Sequence, residues 1–246
     1  MWTIEGDESY WESSRFAASV SLSHPHQGLS RIRVFDQLIS EIRLFGFTFG
    51  NLAPENAESV QDVYKRGNDL VVTYIQTPDR PVRTQIYWRV LDGIDELGVE
   101  MIISTQTSLL ESNPSVTVTS RVPTSSLRRL VEPLTGLFDS VAMSPRDSQM
   151  SIDANSGTPL MLFRLQNCEW SYVQLIDPSD FLGACLSSDD EGSIVELRQQ
   201  LFSERLEKGV IRRGRAWGLF VPRADDEKLA TSVFNRLVAE APPLTT

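Results

Sequence analysis

Length, composition and charge set the first limits on this sequence. It has 246 residues, 41% of them hydrophobic, and a net charge of −10 at pH 7. This length suits one large β domain, and we expect a single domain over residues 1–246. The negative charge disfavours nucleic acid as a partner, because phosphate binding depends on clustered Lys and Arg.

The amino terminus and the cysteines indicate a cytoplasmic protein. The first eight residues are acidic and lack the basic and apolar regions of a signal peptide. No apolar run reaches the ~20 residues that span a bilayer, so we expect no membrane contact. Cys168 and Cys185 form no CxxC pair, and the sequence has only two histidines. We therefore predict reduced thiols, and no metal or other cofactor.

The first third of the chain reads as short strands. Residues 1–14 show no periodicity, and we expect an arm whose aromatic side chains pack on the domain edge. Strands are predicted at 15–23, 29–35 and 41–49. Phe45, Phe47 and Phe49 share one face of the third strand and are predicted to lie in the core. A connection over 50–68, with a short strand at 59–65, follows.

The centre of the chain predicts an antiparallel meander of four strands, at 70–77, 82–90, 99–107 and 115–122. These segments are rich in Val, Ile and Thr and are joined by turn residues. The second strand alternates strictly, with apolar side chains or Thr on one side and polar ones on the other. We therefore expect one face in the core and one polar face.

The last part of the chain mixes strands with helical patterns. Residues 124–137 predict a short helix that ends before Pro133, and 139–159 a long loop that is a candidate cleft wall. Residues 194–204 fit both a helix and a strand, and we favour the strand. Further strands are predicted at 160–165, 170–176, 181–186 and 210–221.

The carboxyl end predicts a helix from Asp225 or Asp226 through Ala239, with one apolar face and a stop at Pro242. The apolar face consists of Leu229, Val233, Phe234, Leu237 and Val238. Taken together, the elements predict an all-β fold, a mostly antiparallel β-sandwich with a C-terminal helix.

The polar face of the meander is the main candidate site. Side chains two apart on a strand are ~6.5–7 Å apart and neighbouring strands ~4.8 Å apart, which matches the spacing of groups on a saccharide. Arginine forks bind carboxylates, and Gln and Thr bind hydroxyls. The alternative is an ordinary solvated face with cross-strand ion pairs. The candidate residues are Arg83, Gln85, Tyr87, Arg89, Glu100, Ser104, Gln106, Thr117, Thr119 and Arg121.

Two smaller groups carry other chemistry. His24 and His26 flank a proline at a turn, where a histidine pair can serve as acid and base, although exposed turn histidines are common. The basic residues of 205–215 predict either a local anion site or an ion-paired hairpin. No phosphate-cradling glycine loop and no GxSxG motif is present.

Three features resemble the galactose-mutarotase-like supersandwich, a large antiparallel β-sandwich of aldose epimerases, polysaccharide lyases and glycosidases. They are the hairpin over 17–35 with its turn at Gly28, the polar-faced strands at 82–122, and the turn over 206–210 into a late strand. The resemblance implies the scaffold and a carbohydrate ligand. The epimerases use two histidines on separate elements and a glutamate, whereas His24 and His26 share one turn.

The leading prediction is a protein that binds a neutral or anionic saccharide on the polar face. If it is an enzyme, the expected chemistry is sugar epimerisation or lyase-type proton abstraction, with proton transfer by His24, His26 or Tyr87. Arginines of the face would neutralise a substrate carboxylate, the candidates being Arg83, Arg89 and Arg121. The alternative is a non-catalytic domain that binds another protein through the sheet face or an edge.

Overall fold

A computed structural model describes residues 1–49, 60–93, 96–142, 149–189, 191–202 and 204–241. The first strands are β1 (Trp2–Glu5), β2 (Glu8–Glu12), β3 (Phe16–Ser21), β4 (Ser30–Val34), β5 (Gln37–Leu38), β6 (Arg43–Phe49) and β7 (Val60–Arg66). The next are β8 (Asp69–Tyr74), β9 (Arg83–Asp92), β10 (Leu97–Gln106), β11 (Glu111–Ser112), β12 (Val116–Glu132), β13 (Leu137–Val141) and β14 (Met150–Asp153). The last elements are β15 (Met161–Leu165), β16 (Trp170–Ile176), β17 (Phe181–Ser188), β18 (Ile194–Leu201), β19 (Leu206–Glu207), β20 (Ile211–Pro222) and the helix α1 (Asp226–Val238).

The fold is an antiparallel β-sandwich with a C-terminal helix, as predicted. Strands β1 to β5 form a small sheet in chain order, which packs on a 13-stranded sheet. The contact is hydrophobic, and the rings of Phe16 and Phe220 lie 6.0 Å apart across it. The Tyr74 hydroxyl, on the large sheet, donates a hydrogen bond of 2.8 Å to the Leu22 carbonyl beside the small sheet. One continuous hydrophobic cluster joins both sheets.

Strand β12 connects the two parts of the large sheet. Its first half, up to Pro123, lies between β6 and β18, and its second half, from Leu127, lies between β13 and β15. Pro123 lies beyond the last residue that pairs with β6, so its missing N–H leaves no gap in that ladder. The order across the large sheet is β14-β17-β18-β12-β15-β16-β20-β10-β9-β8-β7, with β6 and β13 also paired to β12.

The predicted meander is confirmed for its first three strands and wrong for the fourth. Strands β8, β9 and β10 pair in order. The other edge of β10 pairs with β20, however, and the predicted fourth strand belongs to β12, several strands away. The prediction placed segments that are adjacent in sequence next to one another. The position beside β10 is instead filled by a segment that begins only at Ile211.

The predicted helix over 124–137 is also wrong. Leu127, Leu130 and Leu134 have helical spacing, but residues up to Glu132 continue strand β12. The register shifts between Thr124 and Ser126, and this bulge interrupts the two-residue period that would have indicated a strand. Leu134, the last leucine with this spacing, lies in a turn and is 96% exposed.

Two predicted irregular segments contain strands. Residues 1–14 were expected to form an arm, but they supply β1 and β2, in which Trp2 and Trp11 pair directly. Their rings lie 6.0 Å apart and are buried, so these aromatics belong to the core. The predicted loop over 139–159 contains part of β13 and all of β14, and its residues 143–148 lie outside the described residues. The strand favoured for 194–204 is confirmed as β18.

The C-terminal helix is confirmed as α1. Its buried face includes Ala230, Val233, Phe234 and Leu237, whereas Val238 is 42% exposed. The face packs on side chains of β15, β16 and β20 in a second hydrophobic cluster. Among the residues that the structure describes, no helix has the length and hydrophobicity to cross a membrane.

Candidate functional site

A broad groove lies on the exposed face of the sheet section formed by β6, β12, β18, β17 and β14. Residues directly opposite one another on neighbouring strands share a face, with their Cβ atoms about 4.5–5.5 Å apart. The pairings therefore define two rows of side chains across the groove. The first row is Thr48, Thr117, Gln200, Gly183 and Asp153.

The second row runs parallel to the first, two residues further along each strand. It consists of Gly46, Thr119, Arg198, Cys185 and Ser151. With Ile152, Leu182 and Ala184, the residues of these two rows other than Gly46 line a space of about 710 Å³. We call this space the central groove. Its size lies within the usual range of ligand pockets.

The central groove is rich in hydroxyl groups and nearly balanced in charge. Four threonine and serine hydroxyls and the Gln200 amide line it, so it offers both donors and acceptors. Its charged lining residues are Arg198 and Asp153. Arg198 also contacts the Glu196 carboxylate, two residues away on the same face. This lining is suited to a neutral, hydroxyl-bearing ligand.

A glycine brings the histidine turn against one edge of the groove. A Cβ at Gly46 would overlap the carbonyl oxygen of His26 and lie 3.0 Å from its carbonyl carbon. Because Gly46 is opposite Thr119, this missing side chain would lie on the groove face. The 3₁₀ turn Pro25–Gln27 therefore packs on β6 beside the groove, with its backbone closest to the sheet.

The two histidines have different surroundings. The Nδ1 atom of His24 hydrogen bonds with the Ser23 hydroxyl at 2.9 Å and lies 3.9 Å from the Asp7 carboxylate. Burial raises the pKa of Asp7, but hydrogen bonds from Ser21 and Ser23 outweigh it and lower the pKa below its ordinary value. The Nδ1 atom of His26 is buried and has no partner among the described residues. Neither ring is part of the groove lining.

The residues of the predicted polar face fall into three groups, because β10 and β12 are not neighbours. One group lies on the exposed face of β9, β10 and β20, around a space of about 200 Å³. We call this space the arginine recess. It is lined by Arg83, Gln85, Tyr87, Ser104, Gln106, Ile211 and Arg213.

The second group, Arg89 and Glu100, belongs to a chain of ion pairs. The Arg89 guanidinium donates to both oxygens of Asp69, at 2.7 and 3.0 Å, and to Glu100 at 3.0 Å. Glu100 also accepts a bond of 2.8 Å from Arg215, which in turn binds Glu240 at 2.6 Å. The hydrogen bonds that Arg89 donates to Asp69, together with the nearby charges of Asp69 and Glu100, raise the pKa of Arg89. This arginine fork is already occupied within the protein.

The third group is on β12, where Thr117 and Thr119 line the central groove. Arg121 is two residues further along the same face, opposite Glu196, and is exposed. Arg121 is not among the lining residues. The predicted site residues are thus divided between the central groove, the arginine recess and the ion-pair chain.

Sequence reasoning missed several groove residues. Arg198 and Gln200 on β18, and Ser151 and Asp153 on β14, were not predicted as site residues. A signal was present in 194–201, since the strand pattern of Val195, Leu197 and Leu201 leaves a polar set on the opposite face. Within the described residues, no group of three or more His, Cys, Asp and Glu side chains is placed to hold a metal ion.

Comparison with known proteins supports the fold. Neither the protein-family models nor the curated proteins compared contain a match to this sequence. A putative aldose 1-epimerase from Escherichia coli K12 aligns with 87% of this chain and 98% of its own, at 6% identity and a TM-score of 0.60. A putative aldose 1-epimerase from Klebsiella pneumoniae aligns with 99% of this chain and 90% of its own, at 8% identity and a TM-score of 0.59.

A third solved structure extends the likeness beyond epimerases. It is a TPR-domain containing protein from Parabacteroides distasonis, with 10% identity, a TM-score of 0.62 and 87% of this chain covered. The chain spans about half of that protein, 47% of its length. Sequence identities this low support a shared fold and nothing more. The chain therefore has the fold shared by aldose 1-epimerase and galactose-mutarotase-like proteins.

Proposed function

We propose that the protein binds a neutral saccharide in the central groove. The two rows of side chains in the groove carry this proposal, because they repeat hydroxyl, amide and charged groups at the spacing of sugar hydroxyls. The fold adds support, since a putative aldose 1-epimerase and a galactose mutarotase related enzyme share it. The balance of Arg198 and Asp153 favours a neutral ligand over an anionic one.

A thermal-shift screen against neutral sugars, uronic acids and oligosaccharides tests the proposal. Ligand at ~100 times its Kd stabilises the folded state by about 2.7 kcal/mol. For a chain of this size we expect the midpoint to rise by roughly 5–10 °C. A shift confined to neutral sugars supports the proposal, whereas a screen without any shift contradicts it.

A groove-filling variant locates the binding. Ser151 is exposed on the outer strand β14 and lines the groove, so Ser151→Trp places an indole over the second row without changing the core. The matched control is Ser140→Trp, at an exposed position of β13 outside the groove lining. We expect Ser151→Trp to abolish the sugar-dependent shift and Ser140→Trp to retain it. Equal shifts in both variants would place the ligand elsewhere.

A catalytic function is a second candidate, favoured by the buried Nδ1 atom of His26, which has no partner among the described residues and belongs to the turn that packs at the groove edge. In this proposal His24 and His26 transfer protons to and from a bound sugar. Tyr87 lies in the arginine recess, so it could take part only for a ligand bound there. Polarimetry of a freshly dissolved anomer tests the proposal: catalysed equilibration that His26→Gln removes supports it, and equilibration at the buffer rate contradicts it.

The remaining alternative is a non-catalytic domain that binds another protein. Strand β7 is the last strand of the large sheet order and carries an exposed polar face, which would allow strand addition. Two results together would favour this function. The sugar screen would show no shift, and a captured protein partner would no longer bind a variant with reversed charges on β7.

We also propose a reducing compartment such as the cytoplasm, because Cys168 and Cys185 are free thiols.

A further inference from the structure

The arginine recess has features that neither the fold nor the sugar proposal explains. Its floor follows the register of β9, β10 and β20: Gln85, Ser104 and Arg213 lie opposite one another. Arg83 is two residues before Gln85 and lies opposite Gln106. One intervening strand, β10, and an offset of two residues separate Arg83 from Arg213 by about 12 Å at the backbone, a distance that two arginine side chains can bridge.

The two arginines of the recess have no carboxylate partner among the described residues. Other arginines on these strands do: Arg89 pairs with Asp69, Arg212 with Asp180, and Arg215 with Glu100. Neither Arg83 nor Arg213 forms an ion pair in the part of the chain that the structure describes. The protein has a net charge of −10, so acidic partners are plentiful in the sequence. Two adjacent unpaired guanidinium groups are therefore unexpected.

The hydrogen bonds of the recess leave donors unused. The Nε atom of Arg213 is buried and has no partner among the described residues. The Arg83 Nε–H donates to the Gln61 side chain at 3.0 Å, and its two terminal nitrogens have no acceptor among the described residues. The Gln85 oxygen accepts the Tyr87 hydroxyl, and the Gln85 amide donates to Thr73 at 3.0 Å. A buried donor without an acceptor is costly, so an external acceptor at this position would be favourable.

We propose that the arginine recess binds a small oxyanion, such as sulfate, inorganic phosphate or the carboxylate of a small organic acid. Guanidinium groups bind such anions through paired, charge-assisted hydrogen bonds. The space of about 200 Å³ is large enough for one such anion with a few waters. Ser104 and Gln106 supply further donors at the same site. The site is independent of the central groove, which is built from other strands.

The direct test is a titration with sodium sulfate, inorganic phosphate and acetate, followed by NMR of the arginine Nε–H groups. Sodium chloride is exchanged for each salt at constant ionic strength, since general charge screening must be held fixed. The expected result is a saturable shift of the Arg213 Nε–H signal with at least one of the three anions. A shift that stays linear and equals that with chloride would overturn the proposal.

Three variants locate the anion. Arg213→Gln, followed by the Arg83 Nε–H signal, and Arg83→Gln, followed by the Arg213 Nε–H signal, should each weaken binding by about tenfold or more, because each removes a charged donor. Arg205→Gln is the matched control, since the Arg205 side chain is 80% exposed and lies outside the recess. It should leave the affinity unchanged. Equal weakening by Arg205→Gln would show a general charge effect and overturn the site.

Two further variants test whether a loss of anion binding comes from misfolding or from a ligand bound in the central groove. Arg213→Lys keeps the charge but loses the fork, so it should bind more weakly than the wild type and more tightly than Arg213→Gln. If Arg213→Gln does not fold, Arg83→Gln together with Arg213→Lys decides the question in the same way. Ser151→Trp should leave anion binding intact, and its loss there would move the anion to the central groove and overturn the proposal.

Discussion

The carbonyl group of His26 occupies the space that a side chain at Gly46 would need. The turn that carries both histidines is thereby fixed against β6, at the edge of the central groove. This contact depends on a residue without a Cβ atom, and no sequence motif marks it.

Gly46→Ala should destabilise the protein by about 1–3 kcal/mol, because the new methyl group overlaps backbone atoms that cannot rotate away. The matched control is Gly93→Ala, where a Cβ would meet nothing within 4 Å. Urea denaturation of both variants measures the effect. A Gly46→Ala midpoint equal to that of the control would show that the turn moves freely from the sheet.

Glu100→Gln should destabilise the protein by about 3 kcal/mol, since it removes the buried carboxylate that Arg89 and Arg215 share, although Asp69 and Glu240 remain as their partners. The Arg215 side chain is only 6% exposed and that of Glu100 4%. Glu111→Gln is the control, because its pair with Arg205 is exposed on both sides and is worth at most ~1 kcal/mol. Urea denaturation at pH 7 should separate the two variants clearly. Similar losses of stability in both would contradict the structural role of the chain of ion pairs.

Asp180→Asn should change how stability depends on pH. Burial raises the pKa of Asp180 from 3.8 to about 6, although Arg212 binds it at 3.0 Å. The folded state therefore holds this proton more tightly than the unfolded state. The resulting stabilisation is complete below pH 3.8 and is lost as the pH rises through about 6. A pKa difference of this size corresponds to at most about 3 kcal/mol.

Urea midpoints between pH 4 and pH 7 measure this effect. The wild type should lose stability relative to Asp180→Asn as the pH rises through that window. Asp139→Asn, an exposed aspartate on β13, is the control and should follow the wild type. Parallel curves for the wild type and Asp180→Asn would contradict the raised pKa.

Asp226→Asn should have the opposite pH dependence. Burial alone would raise the pKa of Asp226, but bonds from Arg164, at 2.9 and 3.0 Å, and from Ser171, at 2.8 Å, hold it below its ordinary value. Its stabilisation is present above pH 3.8 and is lost as the pH falls below it. In acid the wild type should therefore lose stability faster than Asp226→Asn, as measured by circular dichroism during acid titration. An unchanged acid transition would be the contrary result.

Local sequence patterns predicted where the strands lie better than they predicted which strands pair with one another. The alternation of β9 correctly separated Thr84, Ile86 and Trp88, which are buried, from Arg83 and Tyr87, which are not fully buried. Nothing in this pattern indicates that β20 rather than β12 pairs with β10. The order of strands across a large sheet depends on contacts between segments that are far apart in sequence. The pattern within one strand does not indicate these contacts.

The central groove was only partly predictable for the same reason. Thr117 and Thr119 were identified from the alternation of β12, but the groove also needs side chains of β6, β14, β17 and β18. These strands come together only in the folded sheet. Arg198 could have been found from the alternation in 194–201, whereas Ser151 lay in a segment whose composition predicted a loop.

The long strand β12 also has a consequence for local unfolding. It is hydrogen bonded to four other strands and carries the middle of the groove floor in the half that β6 and β18 flank. Amide protons exchange with deuterium only when such pairings open, and residues with partners on both sides open last. We therefore expect the floor of the groove to be among the slowest-exchanging regions of the molecule and the outer strand β14, which contributes one wall, to open more often. A ligand bound as proposed would then contact firmly held residues on β12 and β18 and a more mobile wall that carries Ser151 and Asp153.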